Sequence, residues 1–166
     1  MLRVYAVVMS LALVACGKSE PVDVAKSDKP ASPKKLLIVH APADDVPSFV
    51  HAEMAKARAQ NRALLVYIGA VWCEPCQRFH RAAEAGTLDA KFSDLTLVEF
   101  DLDRDGVRLG MAGYAPGYIP FFGVPNEDGR WSGQGISGSI KGEGAVDDIV
   151  PRLETLLTPT AHNNNN

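Results

Sequence analysis

The sequence predicts an α/β fold, a mixed β-sheet sandwiched between helices, and three observations carry that expectation. Residues 63–69 (Ala-Leu-Leu-Val-Tyr-Ile-Gly) and 95–102 (Leu-Thr-Leu-Val-Glu-Phe-Asp-Leu) are aliphatic runs of strand length, the pattern of strands buried on both faces. Helix-forming segments alternate with the early strands, which requires parallel pairing with right-handed crossovers. Later, Asn126-Glu127-Asp128-Gly129 separates two further strand-like runs and marks an antiparallel hairpin.

In order, residues 36–39 are a short aliphatic run suited to an edge strand. Asp44, Asp45 and Pro47 then supply helix-start chemistry, acids followed by a proline in the first turn, for a partly amphipathic helix over 48–60. Asn61 and Arg62 close it ahead of the 63–69 strand. Ala70 to Cys73 turn out of that strand, and residues 74–85 are rich in helix formers, with Gly86 as the stop. After the strand at 95–102, residues 104–111 read as a brief helical or turn segment, and Asp101, Asp103 and Asp105 as a solvated strand end. The final glutamate of a calcium loop is missing, since Ala112 stands at the twelfth position. A strand over 119–124 and its return over 130–136 form the hairpin, with Trp131 packing in it. Val146, Ile149, Val150, Leu153, Leu156 and Leu157 then keep the period of a closing helix, ended by Pro159.

The 166 residues suffice for one ordinary domain with short flanks. Composition is 46% hydrophobic and 22% charged, which excludes wholesale disorder, and a formal net charge of −3 without a basic block excludes a nucleic-acid partner. Arg3 followed by an apolar stretch over 4–14 has the anatomy of a secretory signal and is shorter than the roughly 20 residues of a membrane-spanning helix. Leu13-Val14-Ala15-Cys16-Gly17 resembles the bacterial lipoprotein signal. That resemblance implies a signal peptide over 1–15, a lipidated Cys16 and a membrane held through it. Gly17, in place of the aspartate associated with inner-membrane retention, points to the outer membrane of a bacterial envelope, with the protein facing the periplasm. The Lys-, Pro- and Ser-rich stretch that completes residues 16–35 is a flexible tether, residues 36–158 are the folded domain, and 159–166 are a disordered tail.

Cys73 and Cys76 remain once Cys16 is set apart. Their placement at a strand-to-helix handover has a chemical consequence. A cysteine at a helix N-terminus meets unpaired amides and the positive end of the macrodipole, which stabilise the nucleophilic thiolate. Two intervening residues put the second sulfur one turn on, within reach of a mixed disulfide on the first. A zinc site would draw Cys73, Cys76 and His80 together with His40 or His51, but neither histidine has a spacing that asks for it, so no metal and no cofactor is expected. A purely structural disulfide gains little from closing so short a loop.

Trp72-Cys73-Glu74-Pro75-Cys76 resembles the active-site motif of the thioredoxin superfamily, and Tyr118-Ile119-Pro120 resembles its cis-proline loop. Spacing downstream of Cys76 is most similar to periplasmic thioredoxin domains of the transmembrane disulfide-reductase type. The resemblance covers residues 46–157 and implies a thioredoxin-like three-layer sandwich. It further implies a redox-active disulfide in which Cys73 attacks and Cys76 resolves, with Trp72, Ile119 and Pro120 shaping a substrate-binding surface.

Two positions depart from the family. Its buried aspartate is replaced by Tyr67 and the lysine that partners it by Glu99. His80, whose ring titrates near neutrality, is a candidate substitute against the plainer reading of a helix-surface histidine. Glu74, His80 and Glu99 are therefore the candidates for tuning the pair, the two acids by opposing the thiolate. The function implied is an extracytoplasmic thiol–disulfide oxidoreductase of reductant or isomerase type. Its partners would be protein thiols and disulfides and a membrane-embedded electron donor. The alternatives are an apocytochrome c reductant and a non-catalytic binding module or adaptor.

Overall fold

The computed structural model describes residues 34–158. The segments expected to be a signal peptide (1–15) and a tail (159–166), together with Cys16 and nearly all of the expected tether, lie outside the described residues.

Ten elements follow one another: β1 (Leu37–His40), α1 (Val46–Ala59), β2 (Ala63–Gly69), α2 (Glu74–Glu84), α3 (Asp89–Phe92), β3 (Leu95–Asp101), α4 (Leu102–Met111), β4 (Phe121–Pro125), β5 (Trp131–Ser137) and α5 (Ala145–Leu157). The strands form one sheet in the order β1-β3-β2-β4-β5. β1, β3 and β2 are parallel, whereas β4 runs antiparallel to both β2 and β5. This is the mixed, helix-flanked α/β sandwich expected from the alternation of the early elements and the late hairpin.

Strand alternation sorts the core into two layers. Leu65, Tyr67, Leu95, Leu97 and Phe122 face one way and bury Phe79 of α2, Phe92 of α3 and Ile149 and Leu153 of α5. Val66, Ile68, Val98, Phe100 and Phe121 face the other way and bury Val46, Val50 and Met54 of α1 and Leu109 of α4. Each fully buried side chain of this size contributes about 1.5–3 kcal/mol. β2 and β3 supply both layers, which is why their sequences are continuously apolar.

Local chemistry sets the boundaries. Asp45 caps α1 by accepting the Ser48 amide, Pro47 lies in its first turn, and Asn61 takes a left-handed φ of 53° just beyond its end. Gly86, at φ 72°, follows α2, as its glycine suggested. Gly129 ends the β4–β5 turn at φ 76°, and a Cβ there would lie 2.2 Å from the Pro47 carbonyl oxygen. Only glycine fits that turn against α1.

Four details differ from the sequence reading. α3 is a single turn, too short to show a hydrophobic period. The segment after β3 is a full helix, α4, that begins at Leu102. α5 continues through Pro151. Asp105 is not solvated but only 1% exposed. Its carboxylate binds the Arg104 guanidinium at 2.7 Å and the Arg108 guanidinium at 2.7 Å, and accepts the Asp101 amide. The arginines also bond the carbonyls of Ala41 and Pro42, pinning the β1–α1 loop to α4. Asp101 itself caps α4 through the amides of Asp103 and Arg104.

Candidate functional site

β2 ends at Gly69, the chain turns through Ala70, Val71 and Trp72, and α2 begins immediately after Cys73. Cys73 is the N-cap of α2. Its sulfur accepts the Cys76 amide at 3.3 Å, which occupies one of the donors a helix start leaves unpaired. Pro75 has no N–H to lose in this first turn. A disulfide joins Cys73 and Cys76, whose Cα atoms are 5.2 Å apart. Both residues are buried, at 4% and 2% exposure, in a small cluster with Ala70 that Leu102 and Ile119 pack against.

The Ile119–Pro120 peptide is cis. Pro120 is buried and its carbonyl accepts the Gly138 amide, so the loop before β4 is tied to the end of β5. Trp72 is 62% exposed, and its indole N–H donates to Asp103 Oδ2 at 2.8 Å. Val71, Trp72 and Tyr118 thus present exposed apolar surface on the two loops that flank the pair.

The three tuning candidates separate into two places. Glu74 is turned along α2: one carboxylate oxygen accepts from the Arg78 guanidinium and the other from the Gly142 amide at 3.1 Å. Arg78 first, then that amide, hold its carboxyl below the usual range. Its charge is thus paired with the Arg78 guanidinium and the Gly142 amide.

Glu99 and His80 come together instead. Strand register sets His40 of β1 opposite Glu99 of β3, and Glu99 opposite Tyr67 of β2. His80, on α2 above this row, bonds Glu99 Oε1 through Nε2. That bond holds the imidazole above its ordinary value of 6.5 against the opposing effect of burial, with Glu84 adding to the rise. His40 Nδ1 lies 2.6 Å from Glu99 Oε2, but off the hydrogen-bond direction, so the contact is electrostatic. Burial and the Glu99 charge keep the Tyr67 phenol protonated. A Cβ on Gly69 would lie 2.9 Å from the Tyr67 hydroxyl and 3.5 Å from Cys76 Cβ, so the strand must end in glycine where tyrosine and cysteine crowd together.

A cavity of about 540 Å³ opens here, lined among others by His40, Tyr67, Cys76, His80 and Glu99. Cys76 faces it and Cys73 does not. The sequence raised His80 and Glu99 as tuning candidates and His40 only as a possible zinc ligand, because its place beside Glu99 depends on register. The signal was a histidine closing the first strand. Among the described residues no three His, Cys, Asp or Glu side chains are arranged to hold a metal ion.

A family model described as thioredoxin-like matches residues 45–93, the stretch from the cap of α1 through the cysteine pair to the end of α3. Among solved structures, the chain is similar to oxidized thioredoxin O1 from Arabidopsis thaliana, with 19% identity and a TM-score of 0.44 over 74% of this chain and 94% of that one. Thioredoxin of Trichomonas vaginalis is 23% identical with a TM-score of 0.41, covering 61% of this chain and 85% of its own. Thioredoxin NaTrxh of Nicotiana alata is 18% identical with a TM-score of 0.42, covering 65% and 84%. No curated protein matches the sequence.

Proposed function

We propose that this protein is an extracytoplasmic thiol–disulfide oxidoreductase of reductant or isomerase type, held to a bacterial envelope membrane by lipid on Cys16. The observation that carries the reading is the cysteine pair at the strand-to-helix handover, Cys73 capping α2 and bonded to Cys76, beside the Ile119–Pro120 loop. In the reduced protein the Cys73 thiolate attacks a client disulfide, and a mixed disulfide forms as one client thiolate leaves. Cys76 then displaces the second client thiolate and re-forms the pair. Trp72, Val71 and Tyr118 give an extended client segment apolar surface to lie against.

The surroundings of Cys73, as they bear on its thiolate, support the reductant direction. One amide and the helix N-terminus favour it, burial opposes it, and no cationic side chain bonds it among the described residues. A weakly stabilised thiolate favours the disulfide and makes the dithiol a reductant. In an oxidising compartment such a protein needs a membrane-embedded donor to restore its dithiol.

Cys76→Ser should accumulate mixed disulfides with client proteins through Cys73, seen as slow-migrating bands that vanish with reductant. Cys73→Ser should accumulate none. Trapping that requires Cys76 and tolerates Cys73→Ser would reverse the assignment, and no trapping by either variant would favour the adaptor reading. For the anchor, labelled palmitate should enter the protein and be lost with Cys16→Ala. Labelling that survives the substitution would remove the lipid from the proposal.

A further inference from the structure

We propose that His80 is the proton acceptor and donor for Cys76, with Glu99 as the residue that positions and charges it, across the cavity they share with Tyr67. The inference rests on the exchange reading above and assigns the proton traffic that exchange requires. Cys76 and His80 are four residues apart on α2 and so project from one face of the helix. Both line the same cavity of about 540 Å³.

The floor of that cavity is the row His40, Glu99 and Tyr67 on three adjacent strands. Among the described residues, two buried side-chain polar atoms lack a hydrogen-bond partner, Glu99 Oε2 and the Tyr67 hydroxyl, and both belong to residues lining this cavity. Buried polar atoms without protein partners are satisfied by solvent where the space allows it. The cavity is many times the roughly 30 Å³ that one water occupies in the liquid. Solvent entering it would meet Cys76, His80 and the Tyr67 hydroxyl together, with Glu99 Oε2 held beside His40 Nδ1.

The charges around His80 decide what it can do. From its own helix, Glu84 favours the imidazolium. From β3, Glu99 binds it directly, while Arg81, Asp101, Arg104 and His40 line the cavity around it. With Nε2 committed to Glu99, Nδ1 is the ring atom left to exchange a proton. When Cys76 attacks a mixed disulfide, its thiol proton passes to neutral His80, directly or through one solvent molecule. The Cys76–Cys73 bond forms and the Cys73–client bond breaks. Two electrons leave on the client thiolate, which takes a proton from solvent, and Glu99 balances the new imidazolium. In the reverse direction a donor thiolate opens the disulfide at Cys73, and Cys76 departs with the proton returned by His80. Resolution therefore accelerates as pH rises through the elevated His80 value.

The test uses the full chain carrying Cys16→Ser, so that the pair alone supplies thiols. Reduced protein is mixed with one equivalent of dithiobis(nitrobenzoate), and the release of thionitrobenzoate is followed by stopped-flow absorbance across pH. The first, bimolecular release reports Cys73 and the second, intramolecular release reports Cys76. His80→Gln should slow the second release about 100-fold near neutral pH and flatten its pH dependence, with the first changed by less than about threefold. Free imidazole should restore the second release in His80→Ala, and Glu99→Gln should move its pH midpoint downward. A second release within about threefold of wild type in His80→Gln at every pH would overturn the inference and leave the exchange reading intact. So would a slowing that imidazole does not relieve. Absence of a second release from wild type would overturn the exchange reading itself.

Discussion

Asp105 illustrates how a residue's neighbours reverse its meaning. Burial pushes its carboxyl up, but Arg104, Arg108 and the Asp101 amide outweigh burial and leave it below the usual value of 3.8. A carboxylate depressed in the native state contributes stability that is complete above its unfolded value and is lost as pH falls through its native one. Asp105→Asn removes the charge between two arginines that keep part of their hydration. It should cost roughly 2–3 kcal/mol, toward the low end for a broken buried pair. Urea midpoints of the two proteins should differ at neutral pH and converge on acidification below 3.8; a gap that ignores pH would contradict this account. The same logic governs Glu74. Its acid in the motif suggested repulsion of the thiolate, yet Arg78 and the Gly142 amide bind it, and the sequence held no sign that residue 142 would reach residue 74. Tyr67 and Glu99 were visible as departures from the superfamily pattern. What they do together was not, because it depends on which strands pair.

At the scale of elements, legibility followed length and burial. β2 was readable residue for residue, because a strand covered on both faces is apolar throughout. α1 and the β4–β5 turn were readable from Asp45, Pro47 and Gly129, whose chemistry is local. α3 was not, since four residues carry no period. α5 was found by its apolar stripe, but that stripe gave no warning that the helix runs through Pro151. A proline at that interior position cannot donate to the Asp147 carbonyl one turn back and would ordinarily cost about 3 kcal/mol. Burial of Ile149 and Leu153 against the sheet offsets the loss. Pro151→Ala should therefore raise stability by about 1–2 kcal/mol, reduced from the full helical gain by the greater freedom of the unfolded chain. Denaturant unfolding measures it, and a lowered midpoint would mean that the proline ring packs more usefully than its missing N–H costs.

For the whole molecule, topology creates the site. The parallel strands β1, β3 and β2 end on the same side, where β2 delivers Cys73 to the start of α2 and β3 delivers Asp101 to the start of α4. The loop entering antiparallel β4 brings Ile119 to the same cluster, although it is more than forty residues away in sequence. The sequence foretold this convergence through the order of strands and helices and the two short motifs, without any single residue proving it. The central claim is that Cys73 and Cys76 cycle between dithiol and disulfide as a reductant. Its most direct test is the reduction potential of the pair, measured by equilibrating the purified protein in defined thiol–disulfide buffers and quantifying alkylated species. The account predicts a reversible two-electron transition on the order of −270 to −200 mV that is lost when either cysteine is replaced. A potential near about −120 mV, the value of a strong periplasmic oxidant, or a pair that does not titrate at all, would contradict it.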